Sequence, residues 1–144
     1  ATGERLRQVA QINIDSAKGF QEAADAVSDK SLTADFRVWA SDRTRQADEL
    51  AVDAHLNEQS APDTESWAAA LHQSWLQLRA ALSNDDVYAV LTEAERGERL
   101  IQEKYEEVLQ ETRGSVVEGG LERHYADIKA VEDSVCRRRE AGKK

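Results

Sequence analysis

The chain is 144 residues long, 40% apolar and 33% charged, with a formal net charge of −9, 7 glycines, 1 proline and 1 cysteine. That size suits a single domain with a real core, while the lone Cys136 leaves no intrachain disulfide and the acidic balance argues against nucleic acid or an anionic membrane surface as partner. No stretch approaches the ~18 apolar residues of a transmembrane helix.

Helix formers dominate the composition, and β-branched residues show no period-two alternation. The expected class is therefore all-α, as one unit over residues 1–144. No signal peptide is visible, so the cytoplasm is the expected compartment. The chain has no methionine, so Ala1 is not read as an untouched translation start.

Apolar spacing of three and four residues marks five helices in chain order. The first covers about 4–27 with the stripe Leu6, Val9, Asn13, Ala17, Phe20, Ala24, Val27. "SDKS" (28–31) breaks it and offers Asp29 or Ser31 as the next cap. The second covers about 32–58 with Leu32, Phe36, Trp39, Arg43, Ala47, Leu50, Ala54. "NEQSAPDT" (57–64) ends it, since Pro62 cannot continue a helix, and Asp63 or Thr64 can cap the third. That one is short, 65–82, with Trp67, Leu71, Trp75, Leu78, Leu82, the tryptophans sealing it onto the exterior. The fourth covers about 86–111 with Leu91, Ala94, Glu98, Ile101, Tyr105, Val108, and Gly114 is placed to end it. The fifth begins at Ser115, which has capping-box spacing to Glu118, or nearer Leu121. Its stripe is Val117, Leu121, His124, Ile128, Val131, Val135, and its end, about 137–144, is expected to be flexible.

The long helices come as two pairs with short loops, separated by about 28 residues that carry the short helix. Such a connection can travel the length of a bundle. The expected topology is hairpin, long crossover, hairpin: a ferritin-like four-helix bundle with an additional short helix in the crossover.

Each long stripe holds one polar residue: Asn13, Arg43, Glu98 and His124. A carboxylate on a buried stripe is costly unless it is paired. Counted from the end with the first hairpin loop, the four lie about 12 to 17 residues down, a spread of roughly 7 Å at 1.5 Å per residue. They are expected to form one buried polar layer. Arg43 pairs with Glu98, and Asn13 and His124 complete the hydrogen bonding. The simpler role of such a layer is to fix helix register; the sharper one is a site in the interior.

"INIDSAKGFQEAAD" (12–25), "LHQSWLQLRAAL" (71–82), "EAERGERLIQEKYEEVL" (93–109) and "LERHYADIKAVEDSV" (121–135) are similar to a bacterial ferritin-like four-helix-bundle family of unknown function. The similarity covers nearly the whole chain. It implies the ferritin-like fold and no activity. The wider superfamily holds two metal ions at mid-bundle through Glu residues and two Glu-x-x-His motifs. Here the histidines are His55, His72 and His124, preceded three residues earlier by Val52, Ala69 and Leu121, and the carboxylate position of helix two is Arg43. An ion pair is expected where relatives hold metal, with no cofactor. The alternative is a degenerate site of Glu95, Glu98, His124 and Asp127 taking Fe, Mn or Zn.

Other patterns carry less. Asp15 and Glu22 are read as solvent-facing, Asp48, Glu49 and Asp53 as a solvated face, and His55 and His72 as surface or partly buried residues. There is no phosphate loop, no Gly-x-Ser-x-Gly and no triad, hence no catalytic residue. Three functions compete. The first is a non-enzymatic bundle acting through a protein partner or as a homo-oligomer, with stress physiology as its setting. The second is a metal-binding or oxidase protein. The third is a carrier of a small apolar ligand beneath the tryptophan-bearing crossover.

Overall fold

A computed structural model describes residues 2–56, 65–84 and 86–142. They form five helices: α1 Thr2–Ala26, α2 Lys30–Leu56, α3 Glu65–Ser83, α4 Val87–Glu111 and α5 Glu118–Gly142. No strand occurs among the described residues. Pro62, the cap expected at Asp63 or Thr64, the side chains of His55, Trp67 and Trp75, and with them the sealing assigned to the tryptophans, lie outside the described residues.

Local chemistry sets the ends. Asp29 Oδ1 accepts the Leu32 N–H at 3.0 Å, and Asp86 Oδ1 accepts the Ala89 N–H at 3.1 Å; each supplies a donor that the first helical turn lacks a partner for. α4 closes where the Thr112 N–H donates to Val108 O at 2.9 Å. Gly114 turns the chain with φ 80, a conformation open to glycine. The capping box read at Ser115 is not formed: its hydroxyl is buried without a partner, and the helix starts at Glu118, whose carboxylate accepts the Gly114 N–H at 3.3 Å. α5 is helical to Gly142, and Arg138 and Arg139 near its end reach other helices. Arg138 Nε donates to Asp35 Oδ2 at 2.5 Å, and Arg139 Nη1 to Glu95 Oε1 at 2.6 Å.

Two apolar clusters fill the interior. One joins Leu6, Val9 and Ile12 to Leu50, to Ile101, Tyr105 and Val108, and to Val117, Leu121 and Ile128. The other joins Phe20, Ala24 and Val27 to Leu32, Phe36 and Trp39, to Val90, Leu91 and Ala94, and to Val131 and Val135. Phe20, Phe36 and Trp39 pack ring against ring with centroids 5.8, 5.7 and 5.5 Å apart, the first pair stacked and Phe36–Trp39 edge to face, each pair contributing about 0.5–1.5 kcal/mol beyond its buried area. The N-terminal halves of α2 and α4 share one cluster and their C-terminal halves the other, so α2 and α4 run in the same direction. α1 and α5 run opposite to them. α3 returns along the molecule beside α1 and against α4, held by Arg79 to Glu22 at 2.9 Å and Arg96 to Gln77 at 2.7 Å. No described helix is long and apolar enough to cross a membrane.

Candidate functional site

Between the two clusters the stripes turn polar, at Asn13 and Ser16 of α1, Arg43 and Gln46 of α2, and Glu95 and Glu98 of α4. Arg43 is 0% exposed and Glu98 2%. The guanidinium grips the carboxylate as a fork: Arg43 Nη1 donates to Glu98 Oε1 at 2.9 Å, and Arg43 Nη2 to Glu98 Oε2. Nη1 also donates to Ser16 Oγ at 2.8 Å. The cation lies over the Phe20 ring, 5.4 Å from its centroid, where the ring's negative face attracts it. Only Nε is left without a partner. Burial pushes the Glu98 carboxyl above the ordinary carboxylate range, against the charge and hydrogen bonds of Arg43, with Glu132 adding a smaller upward push.

The single layer read from the sequence is two layers. Asn13 and His124 make no hydrogen bond to the pair, and Ser16 does the work assigned to them. About one helical turn nearer the other end, Asn13 Nδ2 donates to Tyr105 Oη at 2.7 Å and to Val9 O at 3.0 Å. Tyr105 and His124 meet edge to face at 6.4 Å. His124 Nε2 shares a 2.6 Å hydrogen bond with Glu49 Oε1, while Nδ1 is buried without a partner. Burial pushes the Tyr105 phenol up, against the Asn13 hydrogen bond. The offset has a simple cause: three to four residues separate these positions in height, about 5 Å of helix, more than a hydrogen bond spans.

The residues do not fit the two metal ions of the ferritin-like superfamily. Glu98 lies in the Arg43 fork. Glu95, 6% exposed, meets Arg139 at 2.6 Å and Arg99 at 3.5 Å. His124 faces Glu49, and Asp127 stands half exposed, 3.7 Å from Arg45. The four candidate ligands thus face four different partners instead of a common point. Among the described residues no group of three or more His, Cys, Asp or Glu is placed to hold a metal ion.

Sequence reasoning passed over Ser16, Glu49 and the Tyr105 hydroxyl. Ser16 follows Asn13 by one helical step and so shares its face, a usable signal. Tyr105 stands on the apolar stripe of α4, which places its hydroxyl in the interior beside Asn13. Glu49 is 50% exposed at its side chain, and nothing in the pattern sets it apart from Asp48. Glu22 is exposed as expected and reaches across to α3, whereas Asp15 is half-buried and accepts from Gln11 Nε2 at 3.0 Å.

Residues 1–111, ending at the last residue of α4, match the Domain of unknown function (DUF2383). The chain belongs to the DUF2383 family. No curated protein matches it. In this DUF2383 chain the matched span carries Ser16, Arg43 and Glu98 together with Asn13, Glu49 and Tyr105; His124, Asp127 and Arg139 come from α5, beyond it.

Proposed function

We propose that this DUF2383 chain is a ferritin-like four-helix bundle of α1, α2, α4 and α5, with α3 as the crossover helix, and that it acts in the cytoplasm through a protein partner or its own copies instead of by catalysis. The parallel course of α2 and α4, with α3 returning between them, supports the topology, since an up-down bundle would make α2 and α4 antiparallel neighbours in the chain path.

One observation carries the functional reading: the charge that a metal at mid-height would be offered is already taken up within the chain. Arg43 neutralises Glu98, and Arg139 and Arg99 neutralise Glu95. A guanidinium beside the carboxylate repels a divalent ion and takes one lone pair of each oxygen. The layer then works as a register device between helices, and function moves to the surface.

The test is elemental analysis and an absorption spectrum of protein purified without chelators. Iron, manganese and zinc far below one ion per chain, and no visible band, are expected. Two iron or manganese ions per chain, lost in Glu98→Ala, would replace this reading with a ferritin-like oxidase.

A further inference from the structure

Where α1, α3 and α4 meet, a cavity of about 50 Å³ opens directly against Glu98. Its walls are mostly apolar: Phe20, Leu78, Ala94 and Ile101 line it. Two helix-interior glycines, Gly19 and Gly97, also face it. Glycine is the least favourable residue of a helix interior after proline, so both positions need a reason. At Gly97 a Cβ would meet Ser74 Oγ at 3.3 Å, a tight contact that a serine rotamer change can relieve. Gly97 also lines the void, so a methyl there would stand at its wall.

We propose that this cavity is a binding site for a small neutral molecule of two or three non-hydrogen atoms, with an apolar body and one hydroxyl or similar donor. Size comes from volume: liquid water takes about 30 Å³ per molecule, and a cavity of about 150 Å³ takes benzene. Polarity comes from the lining. Glu98 uses one lone pair of each oxygen on the Arg43 fork and keeps others to accept a donor. The Ser16 oxygen accepts from Arg43, leaving its proton to donate, and Ser74 is half-buried at the rim. A carboxylate entering here would meet Glu98 and Glu93. An ammonium finds both already paired, Glu98 with Arg43 and Glu93 with Arg96 at 3.1 Å. A ligand this small binds no tighter than about millimolar, given the best attainable free energy per atom. The site thus suits a reporter of abundant short alcohols or similar solutes. It stands independently of the absence of bound metal.

The probe is ethanol, titrated into the full ¹⁵N-labelled chain and followed by amide shifts. Saturable shifts at Ser16, Ser74 and Gly97 with millimolar half-saturation are expected, with methylammonium and acetate leaving these amides unmoved. Gly97→Ala should weaken ethanol about fivefold or more while the remaining spectrum stays that of the parent. Should Gly97→Ala fail to fold, Ser74→Ala keeps the test alive: it weakens ethanol and leaves xenon binding in place. Shifts that stay linear or spread over the surface overturn the proposal, as does equal affinity in Gly97→Ala or in Ser74→Ala, preferred binding of either ion, or a crystal structure in which ordered water holds the cavity against ethanol.

Discussion

Arg43 and Arg45 stand two residues apart on α2, and both reach carboxylates of the α4–α5 half of the molecule. Arg43 does so dry, at 0% exposure, and Arg45 wet, with its side chain 51% exposed. The Arg45 side chain touches Glu49, Asp127 and Asp42 at 3.4, 3.7 and 3.9 Å, and the α2–α5 seam it belongs to is bridged mainly by such polar reach, with His124 to Glu49 and Arg138 to Asp35. The same pair of charge types therefore has two meanings. In the interior, neither partner can lose the other without leaving a buried, unsolvated ion. On the seam, water takes over when a partner leaves, so each contact is worth little while together they select which helices face each other.

The strongest test of that contrast is a double-mutant cycle on the interior pair. Glu98→Leu or Arg43→Leu alone should lose roughly 3–5 kcal/mol, about 10 °C in melting temperature for a chain of this size. The double variant should recover most of the loss. Losses that add would show that the two charges do not depend on each other.

Tyr105→Phe probes the layer beneath. It removes the hydroxyl that accepts from Asn13, whose amide keeps its bond to Val9 O. A loss of about 1 kcal/mol in urea unfolding is expected. A loss as large as that of Glu98→Leu would mean the two layers form one network.

The smallest effects belong to the seam, where salt and pH distinguish it from the interior. Arg138→Ala should lose no more than about 1 kcal/mol, and 1 M salt should erase most of the difference while leaving the Glu98→Leu loss in place. The two carboxylates also respond oppositely to pH. The His124 hydrogen bond, opposed by partial burial and reinforced by Arg45, holds Glu49 below its ordinary value of 4.5. A depressed carboxylate stabilises the fold above that value and loses the contribution as pH falls through its folded value. Glu98 lies above 4.5. The folded state then binds more protons than the unfolded one, and its contribution falls as pH rises upward from 4.5. Glu49→Gln should therefore flatten the loss of stability in acid, and Glu98→Gln should make stability climb more with pH. Slopes of the same sign in chemical denaturation series would break the contrast.

The helices were legible because periodicity is a local signal: Leu6 to Val27 and Leu91 to Val108 declare their faces without reference to partners. The Arg43–Glu98 pair was legible for the same reason, as polar residues interrupting apolar stripes at matching heights. Ser115 misled because its spacing to Glu118 is only a necessary condition for a cap, and the Gly114 turn aims the backbone elsewhere. Arg138 and Arg139 looked like a solvated tail, since nothing local says that Asp35 lies 103 residues away in reach of one and Glu95 in reach of the other. Glu49 and the cavity beside Gly97 were invisible because both depend on how far apart two helices settle, a tertiary quantity.

The interior pair also bears on how the molecule assembles. Arg43 and Glu98 are 55 residues apart and sit on helices of different hairpins, whereas α1–α2 and α4–α5 each join helices that follow one another in the chain. Short-range contacts form first, so the hairpins arrive with these two charges still hydrated. Docking must strip both at once, before the fork has closed, and that step raises the barrier to joining the halves. A hairpin pair that meets one helical turn out of register finds no partner for either ion and separates again. The pair is in this sense a proofreading element of folding, slow to satisfy and intolerant of a wrong alignment, and the doubly apolar variant should reach a compact state sooner while accepting misaligned ones more readily.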